Sequence, residues 1–396
     1  MDYKLNLTRV PIELKLLLKL INIDQSLHSQ TIDKTKYQGV NWDKFIQLAL
    51  HHRIYPLLNL KIKELQETFI PAEVIQTLNR YYQKNIFKML YLTREMEEIN
   101  KISNENEIQL LNLKGPVLAA ELYGDLSLRT SNDLDVLVSI KHLESMEKLL
   151  INLGYEKDDY IDTILMDWKW RHHHITFIHP KKQIKIEVHW RLNPGPGKEP
   201  SFEELWDRKR QVTLTKNPIY FLGKEDLFMF LISHGARHGW SRLRWLVDIR
   251  QLVRQELNWI DLYGNLKKYH YLETGGQALI LTFNLLAITL DEQMKPLIKW
   301  NKSKSLAQEA IFYIEEMVNL HTDPVPEHVS KYHKSHLFSL MSIQQKCIFV
   351  LSLLYPYPDD AKTLPLPKSL HFLYFPLRPF LWVWRKSKFL AMPRRT

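Results

Sequence analysis

The sequence predicts an α+β fold: a small mixed β-sheet in the middle of the chain, flanked by N-terminal and C-terminal helical regions. Three observations carry this. Apolar residues recur at helical spacing through the first hundred residues, and again from about 220 to 360. Between them, short apolar runs with two-residue alternation are interleaved with helical stretches bounded by Gly and Pro. Glycine is scarce, 12 in 396 residues, which favours helix over a turn-rich all-β chain. The chain divides accordingly at 1–100, 101–215 and 216–396.

In the first region "NWDKFIQLALHHRIYPLLNLKIKEL" is helical with a break at Pro56. "PAEVIQTLNRYYQKNIFKMLYLTREMEEINKIS" is a long helix with Pro71 at its start, where the missing N–H costs nothing and the fixed φ suits helix entry. In the middle region "IQLLNLKG" is a short strand ending in Gly. "PVLAAELYG" is a helix with Pro116 in its first turn and Gly124 just beyond its end. "DLDVLVS" is a strand, and "HLESMEKLLINLGY" a helix stopped at Gly154. "HHHITFIHP" and "QIKIEVHWRL" are two strands joined by the turn "PKK", and "NPGPGKEP" is a loop leaving the sheet. The third region carries the helical patterns "KEDLFMFLISHGARHGW", "LRWLVDIRQLVRQ", "TGGQALILTFNLLAITL" and "SLAQEAIFYIEEMVNL", then a tail that mixes aromatics with cations.

Composition places the chain among ordinary globular proteins, at 45% hydrophobic and 25% charged residues. Cys347 is the single cysteine, so an intramolecular disulfide and a cysteine-based zinc site are excluded and a reducing cytoplasm is the expected compartment. The N-terminus reads as an amphipathic helix, not a signal peptide, and no apolar run is long enough to span a membrane. The net charge is +10, but seven of the excess positive charges fall between Lys368 and Thr396, leaving +3 on the body. A nucleic-acid surface is therefore not demanded by charge. The tail itself has three readings: packing on the helical region with its cations in water, which is favoured, contact with an anionic membrane surface, or contact with another anionic partner.

The chemistry concentrates in "LKGPVLAAELYGDLSLRTSNDLDVLV", residues 113–138. The strand period of two puts Asp133 and Asp135 on one face, with Leu134, Val136 and Val138 on the other. In "KIEVHW" the same parity groups Lys185, Glu187 and His189 against Ile186, Val188 and Trp190. If the two strands are neighbours, three carboxylates converge. Two unit charges about 4 Å apart repel by roughly 4 kcal/mol at an effective dielectric of 20, a cost a divalent cation removes. Oxygen ligands suit Mg²⁺ or Mn²⁺. Lys114 and Arg129 are phosphate-binding residue types. Together they point to metal-assisted displacement at phosphorus. The plainer alternative is a solvated strand end.

This segment, with "IEVHWRL" and "LISHGARHGWSRLRWLVDI", resembles the bacterial family of uncharacterised nucleotidyltransferases, within the DNA polymerase β-type superfamily, over most of residues 40 to 255. The resemblance implies a nucleotidyltransferase core in which Asp133 and Asp135 are the metal pair and Glu187 the third acid. It implies a nucleoside triphosphate as substrate, and Lys114–Gly115 in the place of the superfamily's Gly-Ser phosphate contact. Arg129 would neutralise phosphate or brace the acidic loop. The acceptor is unidentified; a sugar, metabolite, peptide or protein is favoured over a long RNA. A metal-dependent glycosyl- or phosphotransferase with a nucleotide donor, and a non-catalytic nucleotide-binding module, remain as alternatives.

His234 and His238 lie one helical turn apart, but Gly235 occupies the place a metalloprotease gives its glutamate, so that reading is rejected. Trp240, Arg244 and Asp248 would share a helix face, as an internal Arg244–Asp248 pair or, with His234 and His238, as a pocket wall. In "WRHHHITF" His172 and His174 share a face and His173 points away; zinc there would need further ligands. His189 lies on the face of Glu187 and would orient it.

Overall fold

The computed structural model describes residues 3–23, 32–65, 69–158 and 161–391. Seven strands form one mixed sheet: β1 Leu110–Asn112, β2 Asp133–Val138, β3 Glu156–Lys157, β4 His174–His179, β5 Ile184–His189, β6 Arg210–Val212 and β7 Ile219–Phe221. Their spatial order is β3-β4-β5-β2-β1-β7-β6. β2 runs antiparallel to β1 and parallel to β5, and β4 and β5 form the expected antiparallel hairpin. The helix Pro116–Tyr123 also forms as expected, closed by Gly124 in the left-handed conformation at φ 67°. The α+β class with helical regions at both ends is the observed one.

β3, β6 and β7 are not announced by the sequence pattern. Each is two or three residues long, too short for alternation to show. β7 lies at the edge of the stretch that reads as helical, and joins the sheet through the pairing of Asn112 with Phe221.

Sheet and helices share one apolar core, a continuous cluster of buried side chains from Leu5 to Ile314. The long helix Ala72–Glu105 buries Met89, Leu92, Met96 and Ile99. Its buried Glu95 accepts from the Tyr155 hydroxyl at 2.7 Å and pairs with Lys182 at 2.8 Å, tying the helix to the β4–β5 turn.

The C-terminal tail is a helix, Tyr374–Ala391, with Pro379 inside it. One face packs: Tyr374 and Leu381 join Ile164 in a small apolar cluster. Buried Asp360 pairs with Arg378 at 2.7 Å and with Arg385 at 2.8 Å. The other face leaves Phe380, Trp382, Val383 and Trp384 exposed. The tail cations Arg394 and Arg395 lie outside the described residues. Among the described residues no helix is long and apolar enough to cross a membrane.

Candidate active site

The register of β2 against β5 sets the geometry. Asp133 stands beside Lys185, Asp135 beside Glu187 and Leu137 beside His189. Because the strands are parallel and in phase, Asp135 and Glu187 project from the same face. With His189 they bring three ligand atoms within 4.8 Å of one another. The His189 Nε2 is 3.4 Å from Asp135 Oδ1 and 3.7 Å from Glu187 Oε2. Lys114 pairs with Asp135 at 2.9 Å, and Lys185 with Glu187 at 2.6 Å. Asp133 sits one pleat further along the strand. Its carboxylate has no hydrogen bond or ion pair among the described residues, its carbonyl accepting from the Ser131 hydroxyl instead.

Burial penalises every charge here, and the neighbours decide the outcome. Asp135 is only 3% exposed. Burial pushes its pKa up, but Lys114 and His189 outweigh that and bring it down to about 2. Glu187 is likewise held below the usual carboxylate range, burial being overcome by His189, His174 and Lys185. For Asp133 nothing wins back the loss: burial and the Asp135 charge raise its pKa. His189 is raised, its two carboxylate neighbours prevailing over burial.

These groups line a cavity of about 1010 Å³, whose walls also carry Arg53, Arg237, Arg242 and Arg244. Burial lowers Arg242 to about 10 and Arg244 to about 9. Acids on the floor and cations around them form a surface for an anionic ligand that also brings a cation.

A family model described as uncharacterised nucleotidyltransferase matches residues 38–287, well over half of the chain. The chain belongs to that family. Comparison with curated proteins finds no match. Membership supports a generic role in nucleotidyl transfer and implies a nucleoside triphosphate donor. The matched stretch holds Arg53, the acidic strands and the Leu243–Val253 helix, and ends before the C-terminal helices.

The remaining residues of the site take distinct places. Gly115 caps the Pro116–Tyr123 helix at φ 78° and ψ −142°, a conformation open to glycine and strained for other residues. The Lys114 before it is thereby turned toward Asp135. Arg129, 1% exposed, is bound on two sides by Asp248: Nε donates at 2.9 Å and Nη2 at 3.0 Å. Asp248 also accepts from the Tyr123 hydroxyl at 2.7 Å. The guanidinium edge that would grip phosphate is therefore occupied, which favours the bracing role for Arg129. Arg244 donates to the Thr130 carbonyl at 2.5 Å and its hydroxyl at 2.9 Å, so residues 129 and 130 are pinned from the same helix just before the acids.

Three local expectations are corrected. Asp248 pairs with Arg129 across the fold and not with Arg244 on its own helix. Trp240 lies outside that helix, which begins at Leu243; it has φ 55° and packs on Gly235, where a Cβ would fall 2.4 Å from its ring. His173 does not point away from its neighbours. β4 starts only at His174, so strand parity does not reach His173, whose ring lies 5.3 Å from that of His189.

His234 and His238 line the same cavity, ring centroids 4.6 Å apart and both against Trp245. Burial and the nearby cations lower both, His238 to about 3. Sequence reasoning missed Arg53, Arg237 and Arg242. Arg53 comes from a turn eighty residues before the acids, with no motif to connect them.

Proposed function

We propose that the protein transfers a nucleoside monophosphate from a nucleoside triphosphate to an acceptor hydroxyl, with Asp133, Asp135 and Glu187 as the catalytic carboxylates. The observation that carries this is the pairing of Asp135 with Glu187 on adjacent parallel strands, at the floor of a cation-walled cavity. In the step, the acceptor oxygen bonds to the α-phosphorus, the bond from that phosphorus to the bridging oxygen breaks, and pyrophosphate leaves. The acceptor proton passes to Glu187 or to solvent.

The donor set fits Mg²⁺ or Mn²⁺: Asp133 is unpaired and its charge disfavoured, the condition a hard cation relieves. A bound ion would offset charge developing on the phosphate oxygens. Lys114 exchanges its contact with Asp135 for a phosphate oxygen, while Arg53 and Arg244 stabilise the triphosphate at the wall. Arg129 holds the loop that aims the acids.

The test is product analysis with each of the four α-labelled triphosphates, Mg²⁺ and a pool of small-molecule and protein acceptors. Labelled acceptor and pyrophosphate are expected. Release of a labelled nucleoside diphosphate with an unlabelled acceptor would instead indicate phosphoryl transfer.

A further inference from the structure

The carboxylates leave one group of side chains at the site without a part. His189 is 3% exposed, and neither of its ring nitrogens has a hydrogen-bond partner. Its approach to Asp135 and Glu187 is within ion-pair range but outside hydrogen-bonding geometry. A buried polar atom left unsatisfied costs about 1–3 kcal/mol. Beside it stand two more imidazoles. His174 is the direct cross-strand neighbour of His189, with ring centroids 5.0 Å apart. His173 is 5.3 Å from His189 and 4.4 Å from His174 by the same measure.

Backbone pairing holds the three rings together. β4 and β5 match His174 with His189, and the His173 carbonyl accepts from the Trp190 N–H at 3.0 Å, extending the pairing one residue past the strand. One nitrogen from each ring falls within 4.8 Å of the others. His174 Nδ1 and His173 Nε2 share a hydrogen bond at 3.2 Å, a contact that a bound ion would replace. Ligands of a tetrahedral ion with metal–nitrogen bonds of about 2.0–2.1 Å lie about 3.4 Å from one another. Small ring rotations bridge the difference.

We propose that His173, His174 and His189 hold a transition-metal ion of the zinc type, at a position next to the carboxylate site and sharing Asp135 or Glu187 with it. The donor chemistry sets the class. Imidazole nitrogen suits Zn²⁺ and its neighbours in the first transition row, whereas Mg²⁺ takes oxygen. Three histidines and one carboxylate complete a four-coordinate shell. The site rests on imidazole placement and stands whether or not the protein transfers nucleotides.

The experiment uses the full chain, stripped with a chelator and then titrated with Co²⁺ as a coloured stand-in for Zn²⁺, without nucleotide. The expected result is one equivalent of Co²⁺ giving visible bands of tetrahedral intensity, bleached by Zn²⁺ and unaffected by excess Mg²⁺. Loss of a single outer partner of a metal ligand already costs about 10–100-fold in affinity. His173→Ala with His174→Ala removes two direct ligands and should weaken Co²⁺ binding by more than about 100-fold. X-ray absorption at the zinc edge of the wild-type protein gives a second readout that needs no variant: imidazole scattering is expected. Displacement of Co²⁺ by Mg²⁺, an unaltered affinity in the folded double variant, or an oxygen-only zinc shell would each overturn the proposal. In that event His189 is a charged bridge between Asp135 and Glu187 and nothing more. Failure of nucleotidyl transfer with metal binding intact would count against the proposed reaction alone.

Discussion

Two charged clusters lie only a few residues apart in this chain, and they are built on opposite plans. Arg129 and Asp248 match each other: one guanidinium and one carboxylate, both buried, with Tyr123 donating to the same Asp248. Around Asp135, Lys114 pairs with Asp135 and Lys185 with Glu187, while the Asp133 carboxylate has no hydrogen bond or ion pair among the described residues. The closed cluster gains rigidity from its matched geometry. In the open cluster Lys114, Lys185 and His189 offset the charges of Asp135 and Glu187, whereas the Asp133 charge stays disfavoured, a cost an added cation would relieve. The difference separates a charge pair satisfied within the fold from a group of acids that, on the proposed reading, is open to a ligand.

The comparison can be broken by mutation, and the largest effect is expected at the open cluster. Asp135→Asn should lower nucleotidyl transfer by about 10⁴-fold, about 5 kcal/mol at 1.36 kcal/mol per decade. Circular dichroism should show the fold retained. Asp133→Asn should also abolish turnover, yet raise the melting temperature of the ion-free protein, because it removes an unpaired and disfavoured charge. Full activity in either variant would refute the site.

At the closed cluster the signs reverse. Asp248→Ala strands the Arg129 charge in the interior and should cost about 3–5 kcal/mol in urea unfolding. If stability barely moves, the pair is not the brace described above. Gly115→Ala tests the cap that turns Lys114 toward the open cluster. The φ of 78° predicts a loss of about 1–3 kcal/mol, with activity falling further as Lys114 is re-aimed.

The smallest effect is expected at the C-terminal helix, where Asp360 repeats the closed plan with Arg378 and Arg385. Burial raises its pKa, but the Tyr357 N–H and the two arginines outweigh burial and hold it below the ordinary value of 3.8. The stabilisation is thus complete above that value and disappears as pH falls through the folded one. Asp360→Asn should cost about 1 kcal/mol at neutral pH, and the gap to wild type should close in acid, as followed by denaturant titration. A gap independent of pH would remove the ion pairs as its cause.

Much of this was legible in the sequence, for a physical reason. Strand parity is local, so the shared face of Asp133 and Asp135, and that of Glu187 and His189, follows from spacing alone. Proline and glycine likewise mark the ends of the Pro116–Tyr123 helix. What spacing does not carry is partnership across the fold. Arg129 meets an aspartate more than a hundred residues away, and Arg53 brings its charge to the cavity of Asp133 from the first helical region. Parity also fails where a strand stops, which is why His173 lies with His174 and His189. The three-residue strands β6 and β7 are too brief to leave a periodic trace.

The in-phase register of β2 and β5 has a consequence for how errors are prevented. The undersides of these strands are Leu134, Val136, Ile186 and Val188, all nearly inaccessible. Sliding β5 by one residue would turn Lys185 and Glu187 into that oil and lift Ile186 and Val188 into water. The greasy side therefore acts as an index pin for the wet side. A misaligned constellation of acids would have to misfold the interior first, and the interior does not allow it.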